Sequence, residues 1–160
     1  MKKSSLTVDV TLIRSARVPA GACSMKDLEG LAGFVLSAEQ AAGRVTLALE
    51  MTRPVRIHQL NRRFRGVDRP TDVIAFRSEV EPLSRPECRE RGFQGDIAIN
   101  VSQAARQAKA MGHSLKREIR TLWIHGILHL MGYTDYAPVP RRRMFQRQND
   151  LLRRWEKKNQ

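Results

Sequence analysis

The chain has 160 residues, 41% hydrophobic and 28% charged, enough for one compact domain with a real core. It has no run of about eighteen apolar residues, so no membrane span is expected, and Cys23 and Cys88 lack CxxC spacing and fit two free thiols in a reducing compartment. Lys+Arg 29 against Asp+Glu 16 leave a net charge of +13, a balance that points to nucleic acid, although a basic surface can also serve solubility alone.

The N-terminus is basic, but the stretch after it alternates and contains Asp9. It is therefore no signal-peptide core, and a cytoplasmic location is expected. Leu6, Val8, Val10 and Leu12 alternate with Thr7, Asp9 and Thr11, the pattern of a half-buried strand. A loop with Pro19 and Gly21 follows. Ser24 is a candidate N-cap for a helix carrying Met25, Leu28, Leu31, Ala32, Val35 and Leu36 on one stripe, with Asp27 and Glu29 in its first turn and Gly43 at its end. Val45, Leu47, Leu49 and Met51 mark a second strand. Pro54 opens a second helix. Its stripe is Val55, Ile57, Leu60 and Phe64, its other faces carry Arg56, Asn61, Arg62, Arg63 and Arg65, and Gly66 ends it.

Asp68 to Asp72 reads as a turn, with Thr71 and Asp72 shaping it, before a third strand, Val73 to Phe76. Arg77 to Phe93 is charged and contains Pro82, Pro86 and Gly92, a loop or hairpin. Gly95 to Asn100 is a fourth strand. Ser102 is a candidate cap for a helix from Gln103 to Met111 that Gly112 ends. Ser114 is a candidate cap for the next helix, with Glu118 in its first turn. Leu122 to Met131 is apolar almost all round, so this helix is expected to be central and buried. Pro138 and Pro140 separate it from a basic C-terminal helix, about 140–158, with Met144, Leu151, Leu152 and Trp155 facing inward. The expected fold is a single α+β domain (α/β-like) over residues 1–160, with a mixed sheet of about four strands and about five helices.

The basic residues cluster. From Pro138 onward eight Lys/Arg face two acids, and a second group is Arg53, Arg56, Arg62, Arg63, Arg65 and Arg69. The planar donor fork of arginine suits phosphate. His58 and His113 read as surface groups.

The stretch Trp123 to Asp135 carries the chemistry. His125 and His129 are four apart, one turn apart on one helix face. Gly132 can stop the helix in the left-handed conformation, letting the chain turn back and deliver Asp135. Three protein ligands with one open position make a catalytic zinc site; two hydrogen-bonded core histidines are the plainer alternative. The i, i+4, i+10 spacing also matches metzincin proteases. Those need Glu after the first histidine as general base, and here Gly126 stands in that place.

His125-Gly126-x-Leu128-His129-Leu130-x-Gly132-Tyr133 resembles the signature of the YbeY family of endoribonucleases and rRNA maturation factors. Leu60-Asn61-x-x-Phe64-Arg65 with Asp68-Arg69-Pro70-Thr71-Asp72-Val73-Ile74-Ala75-Phe76 is similar to a second block, and Gly95-Asp96-Ile97-x-Ile99 to a third. Met144 fits a family methionine. The resemblance covers roughly Leu60 to Met144; the first sixty residues match in element order only. It implies a metal-dependent endoribonuclease, specific for single strands, acting in 3′-end maturation of small-subunit rRNA and in ribosome quality control. Single-stranded RNA and the ribosome are its implied partners, with zinc held by three histidines and an important arginine at the position of Arg65.

The family motif ends Gly-Tyr-Asp-His, whereas this chain reads Gly132-Tyr133-Thr134-Asp135. The expected metal ligands are therefore His125, His129 and Asp135. Aspartate is a shorter, harder, negatively charged ligand. It makes the ion a weaker Lewis acid and gives Mn²⁺ or Mg²⁺ a better chance beside Zn²⁺. Asp135 could instead act from outside the ligand set. In the mechanism expected from these residues, the ion polarises a water or phosphate oxygen at its open position and Arg65 neutralises charge on the scissile phosphate. Asp96 either orients a ligand histidine or simply begins a strand. Two other readings stay open: a non-catalytic or weakly catalytic ribosome- or RNA-binding assembly factor with a degraded metal site, and a metal-dependent hydrolase of another substrate.

Overall fold

The structure is a computed structural model and describes residues 5–78 and 89–160. The first four residues, Cys88 and most of the expected Arg77–Phe93 loop lie outside the described residues.

Strands β1 (Leu6–Arg14), β2 (Gly43–Thr52), β3 (Val73–Arg77) and β4 (Gly92–Asn100) form one sheet in the order β1-β2-β4-β3. The β1–β2 and β2–β4 pairs are parallel and β3–β4 is antiparallel, so the sheet is mixed. The helices are α1 (Met25–Ala38), α2 (Pro54–Arg65), α3 (Val101–Met111), α4 (Leu115–Leu130) and α5 (Pro138–Lys158). This is the expected α+β fold. The main core lies on one sheet face, where α1, α4 and α5 meet Val45, Leu47, Leu49, Met51, Ile97 and Ile99. On the other face α2 packs Ile57 and Leu60 against Ile74 and Ala98.

The histidine-bearing helix α4 is central, as its all-round apolar pattern demands. Trp123 is fully buried and donates its indole N–H to the Leu28 carbonyl at 3.0 Å. Ser114 accepts from the Arg117 amide and caps the helix. At the other end Arg77, on the edge strand, donates to the Leu130 carbonyl and stacks over Phe93. A cation there satisfies an orphan carbonyl and complements the helix dipole.

Several local expectations are corrected. Helix α1 stops at Ala38, not at Gly43. Gln40 takes the left-handed conformation (φ 61), and the Ala41 and Gln40 amides bond to the Leu36 and Ser37 carbonyls at 2.9 and 3.0 Å, a Schellman motif without glycine. A side chain there costs about 1 kcal/mol. Gln40→Gly is expected to raise stability by about 0.5–1 kcal/mol, read as a higher denaturant midpoint at unchanged m-value; an unmoved midpoint counts against this. Asn100, not Ser102, caps α3 by accepting from the Gln103 amide. On α2 the inward face is Ile57, Leu60 and Asn61, while Val55 and Phe64 are exposed. Asn61 is buried because its side-chain amide donates to the Arg69 carbonyl at 2.8 Å, tying the following turn to the helix. Pro138 and Pro140 lie inside the first turn of α5, where amides have no intrahelical partner to lose. His113 is mostly buried, 3.1 Å from Glu118.

Asp27 pairs with Arg120 through two hydrogen bonds of 2.8 and 2.7 Å, joining α1 to α4. Burial works against its charge, but the Arg120 bonds and charge prevail and lower the Asp27 pKa. Since the folded value lies below the unfolded one, this stabilisation is present above about pH 4. It is lost as the pH falls through the lowered folded-state value. Asp27→Asn is expected to cost about 1–3 kcal/mol at pH 7. In denaturant titrations the gap from the parent should shrink in acid; a gap that stays constant with pH would remove the ion pair as its cause.

Candidate metal centre

Helix α4 presents His125 and His129 one turn apart. Past Met131 the chain reverses: Gly132 has φ 92, and the Gly132 and Tyr133 amides bond back to the His129 and Leu128 carbonyls, both at 3.0 Å. The turn brings Asp135 over the histidine face. His125 Nε2, His129 Nε2 and Asp135 Oδ2 form a triangle with sides of 3.1, 3.6 and 3.6 Å. Ligand atoms of a tetrahedral ion bound at about 2.0–2.2 Å lie about 3.3–3.6 Å apart. The three side chains are a candidate metal site by geometry, half-buried and open to solvent on one side.

Both ring orientations are fixed from behind. The Gln148 side-chain carbonyl accepts from His125 Nδ1 at 2.7 Å, and the Tyr133 backbone carbonyl accepts from His129 Nδ1 at 3.0 Å. These bonds put the proton of each neutral ring on Nδ1. The two Nε2 lone pairs then face each other across 3.1 Å with no proton to share. Such an arrangement is repulsive by itself and is relieved by a cation, and the carboxylate on the third corner adds the matching charge. Partners of this kind orient metal-binding histidines. Burial pushes the His129 pKa down, and the charges of His125 and Arg65 act the same way against the upward pull of Asp135 and the Tyr133 carbonyl.

The Tyr133 turn has its own anchor. Buried Glu39 accepts from the Tyr133 hydroxyl at 2.9 Å and pairs with Arg147 of α5. The end of α1, the turn and α5 are thereby fixed together next to the histidines.

Of the sequence-predicted site residues, His125, His129 and Asp135 converge on one point. Arg65 stands at the exposed end of α2, and its charge reaches His129. Thr71 and Asp72 shape the turn before β3, with Asp72 accepting from the Val73 amide at 2.8 Å and from the Thr71 hydroxyl at 3.2 Å. Asp96 does not orient a histidine. It shares the α2 face of β4 with Ala98, while Ile97 on the opposite face meets α4. Burial raises its pKa, and Ser78 is its hydrogen-bond partner at 3.4 Å.

Sequence reasoning missed Gln148, Glu39 and Arg147. Gln148 had a signal: it is the one polar residue in the inward stripe Met144, Gln148, Leu151, Leu152, Trp155. Glu39 and Arg147, 108 positions apart, had none.

The family model described as Endoribonuclease YbeY matches residues 21–156. An Endoribonuclease YbeY from Brevibacillus brevis is 42% identical over 122 residues, covering 71% of this chain and 76% of that one. Another from Bacillus licheniformis is 34% identical over 154 residues, covering 94% and 96%. The solution structure of TM1509 from Thermotoga maritima is similar with a TM-score of 0.56 at 26% identity, covering 93% of this chain and 89% of that one. The family model takes in the convergent histidines, the block around Arg65 and, from residue 21 on, the first sixty residues that resembled the family only in element order, and the chain belongs to the YbeY family.

Proposed function

We propose that this chain is a metal-dependent endoribonuclease acting on single-stranded RNA, with maturation of the 3′ end of small-subunit rRNA and ribosome quality control in the cytoplasm as its setting. Membership of a family whose relatives are named as endoribonucleases supports the reaction. The observation that carries the metal is the pair of bare Nε2 atoms facing each other beside Asp135. His125, His129 and Asp135 hold the ion; zinc fits two imidazoles and a carboxylate, and Mn²⁺ or Mg²⁺ is tolerated through the harder ligand. Bound there, the ion supplies Lewis-acid polarisation at the scissile phosphate.

The chain's own residues do the rest. Gln148 and the Tyr133 carbonyl keep both rings in the Nδ1–H form. Arg65 binds a phosphate oxygen and offsets the charge that grows on it. The exposed arginines of α2 and the start of α5 hold the flanking backbone, so affinity falls steeply with salt.

The test is cleavage of a labelled single-stranded RNA by the full chain, with and without prior chelation. Chelation is expected to abolish cleavage and zinc to restore it. Arg65→Ala is expected to lower the rate by about 100-fold or more while metal content is unchanged. Cleavage that survives full metal removal overturns the reading. RNA binding without cleavage, with or without metal, replaces it with an assembly factor that binds RNA.

A further inference from the structure

A cavity of about 640 Å³ opens beside the candidate metal centre, between α3, α4 and α5. We propose that it is a nucleobase subsite, taking an unstacked base of the RNA strand next to the phosphate at the metal centre, with Phe145 as the stacking ring and Glu118 as acceptor for an exocyclic amino group. The inference rests on the proposed RNA substrate and adds to it where the base goes and which bases fit.

Three observations carry it. First, the cavity shares a wall with the centre. His125 and Gln148 line it, and His125 also supplies Nε2 to the three-ligand triangle. A group in the cavity and a phosphate at the centre are within the span of one nucleotide. The volume falls in the range of small-molecule sites, about 300–1,000 Å³.

Second, the lining has the wrong sign for phosphate. In a chain with net charge +13, this cavity carries the carboxylates of Asp72 and Glu118, and its one arginine, Arg117, is already paired with Glu156 at 2.8 Å. The backbone is held by the arginine faces, and the neutral part of the nucleotide is left for the cavity. Phe145 is 36% exposed, with its ring centroid 5.6 Å from that of His125 and the Arg141 guanidinium 5.5 Å from it. An exposed aromatic ring beside a phosphate site is what an unstacked base uses.

Third, two residues of the lining, Gln107 and Glu118, keep acceptor oxygens to which no neighbouring donor is assigned. Asp72 is engaged by the Val73 amide, the Thr71 hydroxyl and the Gln107 amide group. Gln107 Oε1 is buried without a hydrogen-bond partner among the described residues. Glu118 is 7% exposed, and one of its carboxylate oxygens, Oε2, faces His113 Nε2 at 3.1 Å, leaving Oε1 for a ligand. Acceptors at the back of the slot select amino groups. Adenine, cytosine and guanine offer one on the pairing edge, whereas uracil presents carbonyl oxygens on both sides of its single N–H.

The test is fluorescence anisotropy of the full chain with 2′-O-methyl hexamers: A6, C6, U6, and A6 carrying one abasic site at each position in turn. A6 and C6 are expected to bind about tenfold tighter than U6, with about tenfold lost when the abasic site falls at one particular position. Phe145→Ala and Phe145→Leu should each lose about the same on intact A6 and nothing further on that abasic strand. The isosteric Glu118→Gln should bring the A6-to-U6 ratio close to one. Equal losses for Phe145→Ala on intact and abasic strands, or no position sensitivity in the parent, overturn the subsite while leaving RNA binding standing. A parent chain that binds none of the strands removes the RNA reading and the subsite with it.

Discussion

Asp135→Ala is expected to weaken zinc binding by more than about 100-fold, since even residues that only orient ligands contribute about 10–100-fold. Asp135 Oδ2 stands 3.6 Å from both histidine Nε2 atoms, and without it two neutral imidazoles hold a divalent ion with no compensating charge. The measurement is competition for zinc against a chelator of known affinity at neutral pH. Gln148→Leu is the informative companion: it releases the Nδ1 proton of His125 from its acceptor and touches no ligand atom, so its loss should be smaller, about 10–100-fold. Asp135→His should bind zinc, because it restores a third ligand by another donor type. If Asp135→Ala binds zinc as tightly as the parent, Asp135 is outside the ligand set and the family's third ligand has no counterpart at this position.

The ordering of effects reflects how the site is built. The two histidines come from one helix and one short spacing, which a linear sequence displays. The placing of Asp135 near the histidines was also legible, because Gly132 announces the reversal and only two residues separate them. What holds these groups in place was not legible. Glu39, Tyr133 and Arg147 meet across three elements, and a pairing over 108 positions leaves no periodic trace. The same division runs through the fold. Alternation and helical stripes disclosed all four strands and α1 to α5, because each has one face toward the core; residues 89–91, expected in a loop or hairpin, are helical instead. Termini were misread where an unexpected residue took a capping role: Gln40 accepts the left-handed conformation usually given to glycine, and Asn100 caps α3 from the last position of a strand. Asn61 looked like a surface residue of a basic helix; its burial follows from the Arg69 carbonyl it satisfies, a tertiary fact.

Gly126→Glu is expected to destabilise the fold by about 4 kcal/mol or more, through overpacking together with an unpaired buried charge. Helix α4 crosses β4 so closely that a Cβ at Gly126 would lie 2.8 Å from both Cδ1 and Cγ2 of Ile97. Ile97 is 1% exposed and has nowhere to retreat. Gly126→Ala isolates the steric part: about 1–3 kcal/mol of overpacking, reduced by about 1 kcal/mol of helix propensity. The net loss, up to about 2 kcal/mol, would lower the melting temperature by at most a few degrees in a chain of this size. Ile97→Val removes Cδ1 and should recover part of that loss, so Gly126→Ala with Ile97→Val should cost less than the sum of the single changes. Additive costs, or a Gly126→Ala variant more stable than the parent, would place the contact elsewhere. The result bears on chemistry as well as packing. Position 126 is where a zinc protease carries its general base, and here the helix has no room for any side chain. The close approach of α4 to β4 at Gly126 therefore excludes a base of that kind from this position.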